Sequence, residues 1–180
     1  MRFKIFLFLL VIMLPVRVFA QGTEAKYFDL HLEKNVDAKD FLSRLNHVDL
    51  YQLDIVNRAD NESLGALLDS LYLEVSDILD IHIYSIKLKF EVVSNHARLS
   101  EIVRRLIGKN VNTAAFYMHD NQTIYAAADT ITSGILAHEI AHAVLMHYFV
   151  VPPPEKLQEI MCGYVEYSIN KKINHAAANH

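Results

Sequence analysis

The chain has 180 residues, with 17 Lys and Arg against 21 Asp and Glu, ten His and a single Cys. That length suits one domain with a real core. The acidic balance argues against nucleic acid or anionic lipid as a partner, because phosphate contacts need clustered Lys and Arg, and the lone Cys162 excludes an internal disulfide.

Arg2 and Lys4 precede an almost wholly apolar run from Ile5 to Val16, and Val18-Phe19-Ala20 then places small residues just before Gln21. This order predicts a secretory signal peptide over 1–20, removed after Ala20. The apolar run is short for a membrane span. An exported chain, periplasmic or secreted and without a stable membrane anchor, is therefore expected; an uncleaved anchor is the alternative. With Arg2, Lys4 and Arg17 removed, the 17 basic side chains fall to 14 against 21 acidic ones, a net charge of −7. The remaining 21–180 reads as one domain, with no repeat and no linker rich in Pro, Gly or Ser.

Along that domain, Phe28, Leu30 and Leu32 alternate with polar residues, which predicts a strand. Asp37 can cap a short helix over 38–46. Residues 48–56 suit a strand less clearly. Leu64, Leu67, Leu68, Leu71 and Val75 recur at helical spacing, predicting a helix over 62–79. Ile86, Leu88 and Phe90 alternate with Lys87, Lys89 and Glu91, predicting a strand. Leu99 to Leu106 marks a helix ending at Gly108. Residues 114–118 and 123–128 read as two strands around the turn at 119–122. Thr132 or Ser133 can cap a long helix over 134–149, which Pro152-Pro153-Pro154 ends. A last helix is expected over 155–171, with Pro154 suited to its start. The expected architecture is α+β, a small mixed sheet packed on helices.

The long helix carries His138-Glu139-Ile140-Ala141-His142. Residues four apart share a helix face, so His138 and His142 can hold one ion between them. Glu139 is rotated by about 100°. It stands beside the ion rather than in its ligand shell, placed to take a proton from water. This is the physical reason for the HExxH spacing, and zinc with three protein ligands and one open position is the expected cofactor. Such an ion lowers the pKa of a water in the open position to about 7. No Ser-nucleophile motif such as G-x-S-x-G competes with this chemistry.

Zinc needs a third protein ligand. His147 lies five residues past His142 and points away from the His138/His142 face, so its expected role is a helix-end cation or a partner for a terminal carbonyl. His31, His47, His82, His96 and His119 have no spaced partner and read as surface residues. Glu155, Glu159 and Glu166 can share one face of the last helix. Glu159 is favoured, because a carboxylate set among Leu157, Ile160, Met161 and Cys162 needs a cationic partner; Glu155 and Glu166 are the alternatives. Gly163 is expected to let this helix approach the first closely.

The motif with a following helix that carries Glu159 resembles the gluzincin branch of the zincin metallopeptidases. The resemblance covers about 114–171. It implies a glutamate third ligand, here Glu159, although the family usually places it somewhat further downstream. It also implies a sheet-edge strand that grips the substrate backbone by β-augmentation, matched by position to Thr123, Ile124, Tyr125 and Ala126. The family's acidic residue four positions after the glutamate is Gly163 here, so the histidine partner must come from elsewhere. A downstream Tyr or His often stabilises the oxyanion; Tyr164, Tyr167 and His175 are available, and Tyr167 is the residue assigned that role.

The expectation is therefore a zinc-dependent endopeptidase with Glu139 as general base, acting on protein or peptide substrates. From a different class, a non-catalytic zinc-holding interaction module of the cell envelope would keep the ligands and need no Glu139. An amidase acting on a cross-linked wall peptide is a third reading, without any wall-binding repeat to favour it.

Overall fold

The computed structural model describes residues 25–45 and 61–178. The expected signal peptide over 1–20 and the uncertain strand over 48–56 lie outside them. In chain order the elements are β1 (Phe28–Leu32), α1 (Ala38–Leu45), α2 (Asn61–Leu79), β2 (Leu88–Val93), α3 (His96–Ile107), β3 (Ala115–Met118), β4 (Thr123–Ala127), α4 (Ser133–Tyr148) and α5 (Glu155–Ala178). The architecture is mixed α+β, with a four-stranded mixed sheet. Among the described residues no helix is long and apolar enough to cross a membrane.

Local chemistry explains the element ends. Asp37 Oδ1 accepts from the N–H groups of Lys39 (2.8 Å) and Asp40 (3.0 Å), which start α1. Asn95 caps α3 by accepting from Arg98 N at 3.0 Å, and Gly108 closes it at φ 70°, a conformation that favours glycine. Thr132, rather than Ser133, caps α4, accepting from Ile135 N at 3.3 Å. Ser133 instead donates its hydroxyl to the carbonyl of Leu45. α5 runs to Ala178 instead of stopping at Lys171, since Asn174, His175 and the alanines after it include no helix breaker.

The strand order is β1-β2-β4-β3; β1, β2 and β4 are parallel, and β3 runs antiparallel to β4. Leu88, Phe90, Val92, Ile124 and Ala126 face the main core with α1, α2, α4 and α5. Val93, Tyr125 and Ala127 face the other way, onto Leu99 and Val103 of α3. β4 is thus buried on both faces, which is why it is apolar without alternation. α4 is apolar almost all round because it too is enclosed, with Leu136, Ile140, Ala141 and Val144 at 0% exposure.

Phe90 anchors this core, edge-on to Phe28 at 6.2 Å and tilted to Phe41 at 6.1 Å. Phe90→Ala is expected to cost roughly 3–5 kcal/mol through transfer and cavity terms, read as a lower urea midpoint with an unchanged slope.

The topology corrects one expectation. Thr123, Ile124, Tyr125 and Ala126 do not lie on an edge. Their strand pairs with β2 on one side and β3 on the other, so no peptide can add to it. The resemblance implied an edge strand beside the long helix and matched it by position to these residues. The β3–β4 hairpin instead places its second strand inward, and β3 becomes the edge beside α4.

Gly163 corrects another. Open space surrounds the position its Cβ would occupy. The close approach between α4 and α5 falls at Gly134, where a methyl would come within 2.4 Å of Asn170 Oδ1 and force that side chain aside.

Candidate metal centre

One turn of α4 brings His138 and His142 together, with ring centroids 5.0 Å apart. Both Nε2 atoms face α5. Glu159 Oε2 lies 3.5 Å from His138 Nε2, and Glu159 Oε1 lies 3.2 Å from His142 Nε2. The opposite ring nitrogens have partners of their own. His138 Nδ1 donates to Glu166 Oε2 at 3.1 Å, and His142 Nδ1 to Gln158 Oε1 at 3.4 Å. Gln158 is held in turn by donating Nε2 to the carbonyl of Pro153 at 2.7 Å. A proton kept on Nδ1 leaves the Nε2 lone pair available on each ring, the arrangement of metal-ligating histidines. Burial, and then the neighbouring His138, hold the pKa of His142 below its ordinary value, which favours the neutral, ligating form.

Cys162 completes the cluster. It is fully buried on α5, and its Sγ and one nitrogen from each of His138 and His142 lie within 4.8 Å of one another. These three side chains form a group that could hold a metal ion. Burial, and then the carboxylates of Glu159 and Glu139, push the Cys162 thiol up.

Imidazole nitrogens, a carboxylate and a thiol are donors of the kinds that hold zinc-like ions. Glu159 reaches the two rings through different oxygens, Oε2 to His138 Nε2 at 3.5 Å and Oε1 to His142 Nε2 at 3.2 Å, so its carboxylate bridges them. Cys162 offers one sulfur within 4.8 Å of a nitrogen on each ring. The Glu159 side chain is 54% exposed, whereas Cys162 is enclosed.

Glu139 sits on the neighbouring face of α4, 9% exposed. Its Oε2 accepts the backbone N–H of Tyr117, on the edge strand β3, at 2.7 Å. Burial nevertheless dominates and raises its pKa to about 8. The Tyr117 N–H acts in the opposite direction, and the Glu159 and Glu166 carboxylates add to the rise. Between the ordinary carboxylate range and about 8, the metal-free folded chain holds a proton that the unfolded chain has lost. This contribution to stability is complete below that window and is lost as pH climbs through it. His142, whose pKa is lowered, gives the opposite trend below its ordinary value. The difference between wild-type and Glu139→Gln melting temperatures is therefore expected to fall from pH 5 to pH 8, and matched thermal melts of the metal-free chains measure it.

Other candidate residues fall elsewhere. Tyr167 is 62% exposed and lines a surface groove with Asn170, Asn174 and His175. Adjacent helix positions diverge by about 100°, so Tyr167 does not share the direction of Glu166 toward His138. Glu155 is exposed in the first turn of α5. His147 donates Nδ1–H to the carbonyl of Ala143 at 2.8 Å, away from His138 and His142.

Four contributors are not given these roles by the sequence, Gln158 at His142 among them. Glu166 was read only as a rival ligand, yet it holds the far nitrogen of His138, the place that Gly163 could not fill. Cys162 lies three residues after Glu159 and four before Glu166, a same-face spacing that could have revealed it. The Tyr117 contact has no sequence signal, because it uses a backbone N–H brought in by the sheet. No family model, curated protein or solved structure matches this chain.

Proposed function

We propose that this protein is an exported zinc-dependent peptidase of the gluzincin type. His138, His142 and Glu159 would hold the ion, and Glu139 would serve as general base. The observation that carries this reading is the convergence of both imidazole Nε2 atoms on the Glu159 carboxylate, with the enclosed Glu139 carboxylate one position along the same helix. When bound, zinc would supply Lewis acidity, activating water and polarising the scissile carbonyl.

The chain's own groups would do the rest. Glu166 and Gln158 orient the two rings. Glu139 takes the proton of the attacking water and delivers it to the leaving amine. A nearby cation favours its carboxylate form and so offsets the burial that otherwise keeps it protonated. β3, the strand edge next to α4, is where an extended peptide can lie. Glu139 turning from Tyr117 N–H toward the water would release that N–H to a substrate carbonyl, linking base activation to substrate docking.

A zinc-holding interaction module is the second reading, and the buried Cys162 among the donors favours it, since a fully protein-ligated ion leaves no open position. Digestion of an unstructured protein by the chain beginning at Gln21 separates the two. The peptidase reading expects cleavage that a chelator stops and added zinc restores. A zinc-loaded chain that leaves extended peptides intact contradicts it.

A further inference from the structure

We propose that Cys162 is a fourth protein donor to the ion held by His138, His142 and Glu159, so that the centre at rest is closed by a thiolate and prefers soft divalent metals. This rests on the metal-centre reading above.

Cys162 could be an ordinary small apolar residue, as buried cysteines often are. Its setting argues for more. It shares the α5 face of Glu159 and Glu166, at three and four residues from them. It is 0% exposed, and its Sγ converges with the two imidazoles to within 4.8 Å. The Nδ1 partners of those rings, Glu166 and Gln158, leave the Nε2 lone pairs free to ligate. Donors 2.0–2.1 Å (nitrogen) and about 2.3 Å (sulfur) from one ion stand about 3.5 Å apart. Since the three donor atoms already lie within 4.8 Å of one another, closing onto one ion takes at most about 1.3 Å.

On ligation the S–H bond breaks, a sulfur–metal bond forms and the proton passes to solvent. A thiolate shifts selectivity toward soft ions, cadmium over cobalt and zinc over magnesium or manganese. It also means that water reaches the position beside Glu139 only when the sulfur gives way. The site would then retain its metal tightly and turn over only after substrate or water displaces Cys162.

Cobalt(II) loading of the chain from Gln21 tests this without any activity assay. The wild type is expected to bind one cobalt with a near-ultraviolet thiolate-to-cobalt charge-transfer band. Cys162→Ala should still bind one cobalt but lose the band, and its cadmium affinity should fall by about tenfold or more. Cys162→Ser repeats the test with the side-chain volume kept, should the alanine variant fold poorly. Cobalt that depends on His142 but shows no thiolate band overturns the assignment of Cys162 and leaves the peptidase reading standing. A wild-type chain that takes up no cobalt, or takes it up equally well as His142→Ala, overturns the metal centre itself and this proposal with it.

Discussion

Glu139→Gln is expected to lower peptide hydrolysis by about 10²–10⁴-fold while zinc content stays at the wild-type level, since general-base catalysis is worth about that much. The substitution suits the purpose. Glutamine keeps the volume of the side chain and an oxygen that can accept the Tyr117 N–H now held by Oε2 at 2.7 Å. It also removes a carboxylate whose burial is costly, so the fold should gain rather than lose stability at neutral pH. Loss of cleavage therefore cannot be ascribed to unfolding if thermal melts are run beside the assay. Hydrolysis that persists at more than about a tenth of the wild-type rate would remove Glu139 from the proton transfer.

The second large effect is on the metal. His142→Ala should bring zinc from about one per chain to near none, because it removes one of the two imidazoles that anchor the ion. Glu166→Gln should act more mildly. It keeps a hydrogen bond to His138 Nδ1 but removes the charge that orients and enriches the ring, a change that costs roughly 10–100-fold in affinity. Glu159→Ala decides the third ligand. Loss of zinc comparable to that of His142→Ala supports the carboxylate. Retention of full zinc would move the third position to Cys162, the only other donor among the described residues that converges on both imidazoles. Competition against a coloured zinc chelator measures all three variants on one scale.

The elements were largely legible from periodicity and capping, and for a clear reason. Asp37, Asn95, Gly108 and Thr132 act through bonds within three or four residues of themselves, so their roles do not depend on the rest of the fold. The pairing of His138 with His142 is local in the same sense: one helical turn brings the rings to 5.0 Å whatever surrounds them. Glu159 opposite those rings was also within reach of sequence reasoning, because a carboxylate among apolar residues has to be neutralised.

What faced the site across the sheet was not legible in this way. Whether β4 or β3 is outermost depends on which strand β2 recruits, a choice made between residues about 35 positions apart, such as Phe90 and Ile124. No local propensity encodes it. The same holds for the Tyr117 N–H on Glu139 and for the depth at which Glu139 lies, since both follow from how α4 settles against the sheet.

Sequence by itself therefore determined the helices, most of their ends and the spacing of His138, Glu139 and His142 on α4, since these are set by backbone geometry within a turn or two. Only the tertiary structure decided that β3 is the edge strand beside α4, that Glu166 rather than position 163 steadies His138, and that a buried sulfur stands among the donors. Those relations join segments whose contact is settled by burial of apolar surface, which has no direction and leaves no short-range pattern in the chain.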